Sequence, residues 1–297
     1  MSVQSLVLGG ITLSIFLTVL TQGMQATVDS LRSLFARPAQ LVRAMLVMFV
    51  LGPAIAVLVC KLFSLHPALI VAIVTLSVSP VGSAFTQAML PLVTREGSSR
   101  AHGLFFASAV LSIVLTPLAV EGVQWSVGKS DVHIQPMAVA QVVAGSVLLP
   151  LALGLALGRA WPGGRRWIPA LEKLASVLLL VCAVAIIAGA WSAMGSVMRY
   201  GTVTALVVMV VLGLASGHWL AGRDEDRRTV LACATVSRHP GVAVAVASLT
   251  DQPLAPVGVL LAVLVSELAS APYKAWRKKR LTTVAGPSLH GTTEPRH

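Results

Sequence analysis

The stretch Ser79-Pro80-Val81-Gly82 interrupts one apolar run of this chain, and Ser237-Arg238-His239-Pro240-Gly241 interrupts another. Proline removes a backbone hydrogen-bond donor and glycine frees the backbone geometry, so each stretch predicts a break in a helix. A broken helix leaves unpaired amides and carbonyls, which lipid cannot solvate. These groups must therefore face protein, ions, substrate or water. The residues predicted to form the two breaks are Pro80, Gly82, Pro240 and Gly241.

The composition around the breaks is that of a membrane protein. The 297 residues are 56% hydrophobic and 11% charged, with a mean hydropathy of +0.85. A soluble domain carries about 25% charged residues. The composition therefore excludes an ordinary soluble enzyme, a disulfide scaffold and a disordered chain. The net charge of +11 is interpreted as basic residues crowding the cytoplasmic loops, which does not indicate nucleic-acid binding.

Ten apolar segments can be counted, and they predict an all-α membrane protein of about ten transmembrane helices. The segments cover residues 5–22, 41–63, 68–79, 82–93, 101–123, 135–158, 168–190, 199–221, 229–249 and 255–275. With both termini in the cytoplasm, 16 of the 22 basic residues fall inside and 5 fall outside, and Arg238 lies within a segment. This bias predicts that the N- and C-termini are both cytoplasmic.

The order of segments repeats, since three precede the break near Pro80 and three precede the break near Pro240. An odd repeat of five segments predicts two inverted repeats, residues 1–133 and 134–280, followed by a disordered cytoplasmic tail over 281–297. Broken helices at matching places in inverted halves are typical of a transporter's binding site at the bilayer midplane. The alternative for either break is a proline kink of purely structural use.

Several stretches resemble the bile acid:sodium symporter family, in the same order along nearly the whole membrane portion. The matching stretches are residues 21–25, Asp29, Arg37-Pro38, residues 65–69, residues 79–84, Thr116-Pro117, residues 224–229 and residues 241–247. The resemblance implies ten helices, with segments one, two, six and seven in a panel and the others in a core where the broken helices cross. It also implies sodium-coupled uptake of organic anions by alternating access of the core against the panel.

The chain departs from the residues that hold sodium in that family. Phe85 and Thr86 stand where the family has a Ser-Asn pair, and Arg238-His239 stands where it has a Gln-Asn pair. The family's glutamate position falls on Cys233 or Ala234. Sodium needs oxygen ligands, as other hard cations do, and a guanidinium offers no acceptor. These departures argue against sodium coupling, and no other cofactor or metal is predicted.

Arg238 is the most informative single residue, because a charge inside a membrane helix costs at least about 2.5–3.5 kcal/mol on insertion scales. Three interpretations are open: an ion pair with Glu267, direct contact with an anionic substrate, or a side chain that reaches the interface. His239 could titrate near neutral pH and replace sodium by a proton, or it could be a hydrogen-bonded structural residue.

Other polar side chains near the breaks are candidates for a polar path. Ser83 and Gln87 are four residues apart and share one helical face, as do Ser108 and Ser112. Ordinary interhelical hydrogen bonding is the alternative for these side chains. The full set of such candidates is Ser79, Ser83, Thr86, Gln87, Ser108, Ser112 and Ser237.

The sequence thus predicts a secondary active transporter for a small organic anion, monomeric or dimeric, in the bilayer of a bacterial inner membrane. The alternatives are a proton-coupled or uncoupled carrier and a non-transporting membrane receptor or assembly protein. An intramembrane enzyme is disfavoured, because the sequence holds no zinc-protease, paired-aspartate or serine-elbow motif. Metalloid efflux by a related fold would need a thiolate near the first break, and no cysteine lies there.

Overall fold

The fold is all-helical in a computed structural model that describes residues 3–25, 38–82, 84–127, 134–189, 191–198 and 201–284. We number the principal helices of these residues in chain order. They are α1 (Val3–Gln25), α2 (Pro38–Leu62), α3 (Pro67–Val78), α4 (Ala84–Met89), α5 (Arg95–Val127), α6 (Pro136–Ala160), α7 (Pro162–Gly189), α8 (Thr202–Leu220), α9 (Glu225–Val236), α10 (Pro240–Ala247) and α11 (Ala255–Val284).

Seven helices are long and apolar enough to cross a membrane: α1, α2, α5, α6, α7, α8 and α11. The other four form two interrupted rods, because α3 is separated from α4, and α9 from α10, by only a few residues. The described residues therefore form nine rods, and the count of ten helices is not confirmed. The difference arises because segments 68–79 and 82–93 are two halves of one broken helix.

The rods form two layers. In one layer α1 packs along α6 and α7; in the other, α3, α5, α8, α10 and α11 surround the two breaks. The resemblance placed the second segment, residues 41–63, in the panel. The structure corrects this, since α2 packs on α3, α5 and α8 and so belongs to the layer that holds the breaks.

Two Gly-x-x-x-Gly pairs bring helices into backbone contact. Gly154 and Gly158 of α6 face α1, where a Cβ built at Gly154 would lie 2.9 Å from the Cα of Gly23. On α8, Gly217 lies against the backbone of Ala232 in α9, while Gly213 faces the side chains of Thr235 and Val236. Small residues at such spacing let membrane helices approach closely. Van der Waals packing then holds the helices together, because no hydrophobic driving force acts between helices in lipid.

One end of the bundle carries nearly all the described basic residues, and we call it the basic end. Fifteen of them lie there: Arg43, Arg95, Arg100, Arg159, Arg165, Arg166, Lys173, Arg223, Arg227, Arg228, Lys274, Arg277, Lys278, Lys279 and Arg280. Within the described ranges, Lys61 lies at the other end and Arg238 lies between the ends. Such a one-sided distribution of basic residues is the pattern that the positive-inside rule describes.

The chain enters and leaves at opposite ends of the bundle. α1 runs towards the basic end, where Gln25 donates a 2.7 Å hydrogen bond to Glu172 at the start of α7, and α11 also ends there. The described chain therefore does not support the prediction that both termini are cytoplasmic, because nine rods place the two ends of the chain on opposite sides. α11 continues to Val284, so residues 281–284 of the predicted tail are helical; residues 285–297 lie outside the described residues.

Carboxylates at the basic end tie α9 to its neighbours. Asp224 caps α9 by accepting a 2.9 Å hydrogen bond from the backbone N–H of Arg227, and it also accepts from Arg100 at 2.9 Å. Burial raises the pKa of Asp224, but the Arg227 N–H and the Arg100 guanidinium together hold that pKa below its ordinary value. A hydrogen bond from Arg277 lowers the pKa of Glu225.

These lowered pKa values predict acid-labile stability. A carboxyl whose pKa is lower in the folded state stabilises it above the ordinary carboxyl pKa of about 4, and the contribution is lost as pH falls further. We expect the melting temperature of the purified protein to drop between about pH 5 and pH 3, and the Asp224→Asn/Glu225→Gln variant to show a flatter profile. Asp251→Asn, an exposed carboxylate at the other end, is the control. A double variant with the wild-type profile would contradict the assignment.

Candidate functional site

The two helix breaks meet and pair with each other. The Gly82 N–H donates to the Ser237 carbonyl at 2.9 Å, and the His239 N–H donates to the Pro80 carbonyl at 2.9 Å. Val81 and Arg238 thus face each other as one antiparallel β-bridge. Four backbone groups that the breaks would leave open are therefore satisfied across the crossing.

Side chains of α5 satisfy further groups at the first break. The Thr116 hydroxyl donates to the Val78 carbonyl at 2.9 Å, which is the end of α3. The Ser108 hydroxyl accepts from the Val81 N–H at 3.4 Å and donates to the Phe105 carbonyl at 2.8 Å. The breaks lie close enough to require glycine, because a Cβ at Gly82 would lie 3.0 Å from the Arg238 carbonyl oxygen.

Arg238 is buried at this crossing, with 6% of its surface exposed. Its guanidinium donates to three backbone carbonyls on three different elements: Met48 at 2.7 Å, Ser79 at 3.0 Å and Thr235 at 3.1 Å. Its charge also lies over the ring of Phe49, 5.9 Å from the centroid. Three of the five N–H groups of the side chain are thereby used.

The Met48 carbonyl is available because α2 is distorted there. Residues Val47–Leu51 form a π-helical turn, in which the Gly52 N–H bonds to the Val47 carbonyl and leaves that of Met48 open. Pro53 follows directly and has no N–H to donate. Glycine is needed at position 52, because a Cβ there would lie 2.9 Å from an Arg238 nitrogen.

Two of the three sequence interpretations of Arg238 are corrected. Glu267 does not pair with Arg238; it pairs with Lys274 at 2.6 Å, and 59% of its side chain is exposed. Arg238 makes no ion pair with any carboxylate that the structure describes. The side chain does not reach the interface either, since it is buried and donates to carbonyls exposed by the two breaks and the distorted turn.

His239 carries one open hydrogen-bonding group. Its Nδ1 accepts from the Val242 N–H at 3.5 Å and caps α10, so the proton of the neutral ring lies on Nε2. That Nε2 is buried and finds no partner among the described residues. A buried donor left without an acceptor costs about 1–3 kcal/mol, which a bound solute or water would relieve.

The other candidates divide into two groups. Ser79, Ser108 and Ser112 are buried and Ser237 is half-buried, and Thr86 is buried against Gln22 of α1 at 3.5 Å. Gln87 is exposed, so it does not join the crossing. Ser83 lies outside the described residues, and its shared face with Gln87 stays a prediction. The sequence did not identify Met48, Thr116 and Gln22 as residues of the site. For Met48 there was a usable signal, because Gly52-Pro53 inside an apolar run indicates a distorted helix with an open carbonyl.

Helix α1 covers the crossing from the other layer. Ile15 packs on Gly241 so closely that a Cβ at Gly241 would overlap the Ile15 Cδ1. Arg238 and His239 are only 6% and 5% exposed under this cover.

The residues present do not fit a sodium ion at this position. The carbonyl oxygens of Met48, Ser79 and Thr235 form an acceptor cluster suited to a cation, but the guanidinium of Arg238 already fills it. A second cation a few ångströms away would be repelled by the first.

A family model described as "Sodium Bile acid symporter family" matches residues 12–197, well over half of the chain. The match includes the first break and ends before the second, which carries Arg238. No curated protein matches the chain. The match covers α1 from residue 12, α2, the first broken rod, α5, α6 and α7, and it ends before α8. The chain therefore belongs to the sodium bile acid symporter family, a family of membrane transporters.

Proposed function

We propose that this protein is a secondary carrier that moves a small organic anion by alternating access of the α1, α6 and α7 layer against the layer of the breaks. The observation that supports it is the crossing itself, where a buried cation and an unpartnered buried donor lie together on two broken helices. Two N–H groups of Arg238 and the Nε2–H of His239 are the donors we assign to the anion.

The charge balance of the crossing favours an anion. Arg238 has no described carboxylate to neutralise it, and burying an uncompensated charge is expensive. The carbonyl dipoles reduce that cost without removing the positive charge. A carboxylate that enters between the layers would lower it further.

We infer that sodium is not the coupling ion of this carrier. The fixed guanidinium supplies the positive charge that a bound cation would otherwise bring to the crossing. Proton coupling through His239 is the second candidate, because a proton added at Nδ1 would remove the cap of α10 and so change the site. An uncoupled carrier is the remaining case, and imposed gradients distinguish the three.

We propose a shorter inverted repeat than the sequence predicted. The rods α1, α2, α3/α4 and α5 alternate in direction relative to the basic end, and α7, α8, α9/α10 and α11 run in the opposite sense, one for one. This pairing supports two inverted halves of four rods, with α6 outside them. We further propose a bacterial inner membrane, with the basic end in the cytoplasm and the monomer as the transporting unit.

Uptake by reconstituted protein tests the proposal. We expect proteoliposomes to take up at least one of a panel of carboxylates from pyruvate to cholate, without any requirement for sodium. We expect Arg238→Ala and Arg238→Gln to reduce that uptake at least about tenfold, since a lost charged hydrogen bond is worth about 1.5–3 kcal/mol. Arg165→Gln, an exposed arginine of the basic end, is the control.

Each contrary result has a definite meaning. Wild-type uptake by both Arg238 variants would remove Arg238 from the site. Uptake that follows an imposed pH gradient would select the proton-coupled carrier, and uptake that requires sodium would overturn the inference on coupling. Binding of a carboxylate without any uptake would favour a receptor over a carrier.

A further inference from the structure

A cavity of about 290 Å³ opens at the basic end, between the starts of α2, α5 and α9. Its charged lining consists of three arginines, Arg43, Arg100 and Arg227, and one carboxylate, Glu96. The Ser99 hydroxyl also lines it. The cavity lies away from the crossing of the breaks, so nothing in the proposed transport cycle uses it.

The positive charges of this cavity are only partly compensated. Arg100 is held by Asp224 at 2.9 Å and by Glu96 at 2.5 Å. Arg227 is 3.7 Å from Asp224 and donates from both terminal nitrogens to the Gln40 amide oxygen at 3.2 Å, while its buried Nε has no hydrogen-bond acceptor among the described residues. Arg43 is exposed and makes no ion pair within the described part of the chain. Arg43 has no described carboxylate partner and Arg227 shares Asp224 with Arg100, so positive charge remains at the cavity.

An apolar groove of about 720 Å³ continues from this cavity, and Leu41 lines both. The groove runs between α2 and α5, where α2 lines it from Leu41 to Val57. At 1.5 Å per residue this stretch is about 24 Å long, more than the half-thickness of the hydrocarbon core, about 15 Å. Its lining is apolar except for Ser126. The groove thus has the length and the chemistry for an acyl chain.

We propose that the cavity and the groove together bind one anionic glycerophospholipid, with its phosphate on Arg43 and Arg227 and one acyl chain between α2 and α5. Basic pockets between membrane helices on the cytoplasmic side suit such headgroups. The continuity through Leu41 selects an amphipathic occupant, because a soluble phosphate would use only the cavity. The lipid would lie against α2, the helix whose Met48 carbonyl holds Arg238.

Native mass spectrometry of the purified full-length protein tests the headgroup. We expect wild type to retain phosphatidylglycerol over phosphatidylcholine of identical acyl chains. Arg43→Gln/Arg227→Gln should lower phosphatidylglycerol retention about 30-fold, from about 1 kcal/mol for each arginine near the surface, and leave phosphatidylcholine unchanged. Arg159→Gln/Arg165→Gln removes two exposed arginines of the same end outside the cavity and should change neither.

A second pair of variants tests the groove. Val50→Trp fills the groove from α2, where Val50 is 59% exposed, and should lower phosphatidylglycerol retention at least about fivefold, a loss of about 1 kcal/mol. Val181→Trp, equally exposed at 58% on α7, should not. Equal retention of both lipids by wild type, or equal losses in the test and control variants, would overturn the proposal. Binding of glycerol 1-phosphate as strong as that of the lipid would also overturn it, in favour of a soluble phosphate site.

Discussion

Arg238→Ala is expected to make the stability of this protein depend on sodium. The substitution removes the cation from three carbonyl oxygens, those of Met48, Ser79 and Thr235, and leaves a small cavity lined by them. Each unsatisfied buried acceptor costs about 1–3 kcal/mol, while the burial cost of the guanidinium is relieved. We expect a net loss of about 2–4 kcal/mol in choline chloride, or roughly 4–10 °C in melting temperature.

Sodium should recover most of that loss, because carbonyl oxygens are ligands that a hard cation accepts. A ligand present at 100 times its Kd stabilises a protein by about 2.7 kcal/mol. Thermal unfolding in detergent, with sodium chloride exchanged for choline chloride, measures the effect. Wild type should show no difference between the two salts.

Arg277→Ala is the matched control, since Arg277 is also only 5% exposed but pairs with the Glu225 carboxylate. It should lose stability without gaining a response to sodium. A wild type stabilised by sodium, or an Arg238→Ala protein indifferent to it, would contradict the role we assign to the guanidinium.

Gly154→Val should push α1 away from α6 within their shared layer. A Cβ at Gly154 would lie 2.9 Å from the Cα of Gly23 and 3.0 Å from the backbone carbon of Leu20, and backbone atoms cannot yield as a side-chain tip can. Overpacking of this kind costs about 1–3 kcal/mol or more. We expect a fall of roughly 3–10 °C in melting temperature. Uptake should fall to background, because α1 carries the Ile15 and Gln22 side chains that cover the crossing.

Gly145→Val provides the matched comparison on the same helix. A Cβ at Gly145 meets nothing within 4 Å, so its melting temperature and uptake should stay near those of wild type. If both valine variants behaved alike, the loss at Gly154 would reflect the helix α6 itself and not its contact with α1.

The breaks could be predicted from sequence, whereas the contacts that complete them could not. Pro80, Gly82 and Pro240 act on their own backbone, so their effect is local and visible in the sequence. The acceptors of Arg238 are main-chain carbonyls of residues 48, 79 and 235, and a carbonyl carries no signature of its own. Glu267 was considered as a partner because a carboxylate is visible in the sequence; the structure shows that backbone oxygen atoms take its place.

The predicted count of ten helices and the predicted placement of both termini on one side depart from the structure for one shared reason. Residues 79–82 read equally well as a loop between two short helices or as a break within one, and only packing distinguishes these. Counting two helices there reversed every segment before it, which placed Arg43 on the side opposite Arg100. The structure puts both in one cavity.

The pairing of the two breaks also sets the order in which this protein can insert and fold during its synthesis. Pro80 and Gly82 find their partners in His239 and Ser237, which a ribosome adding 5–20 residues per second reaches about 10–30 s later. During that interval the unpaired backbone groups of the first break are unfavourable in lipid, where each would cost several kcal/mol of free energy. The first half of the chain must therefore stay in an aqueous part of the insertion machinery until the second half is synthesised. Assembly is complete when the two breaks pair.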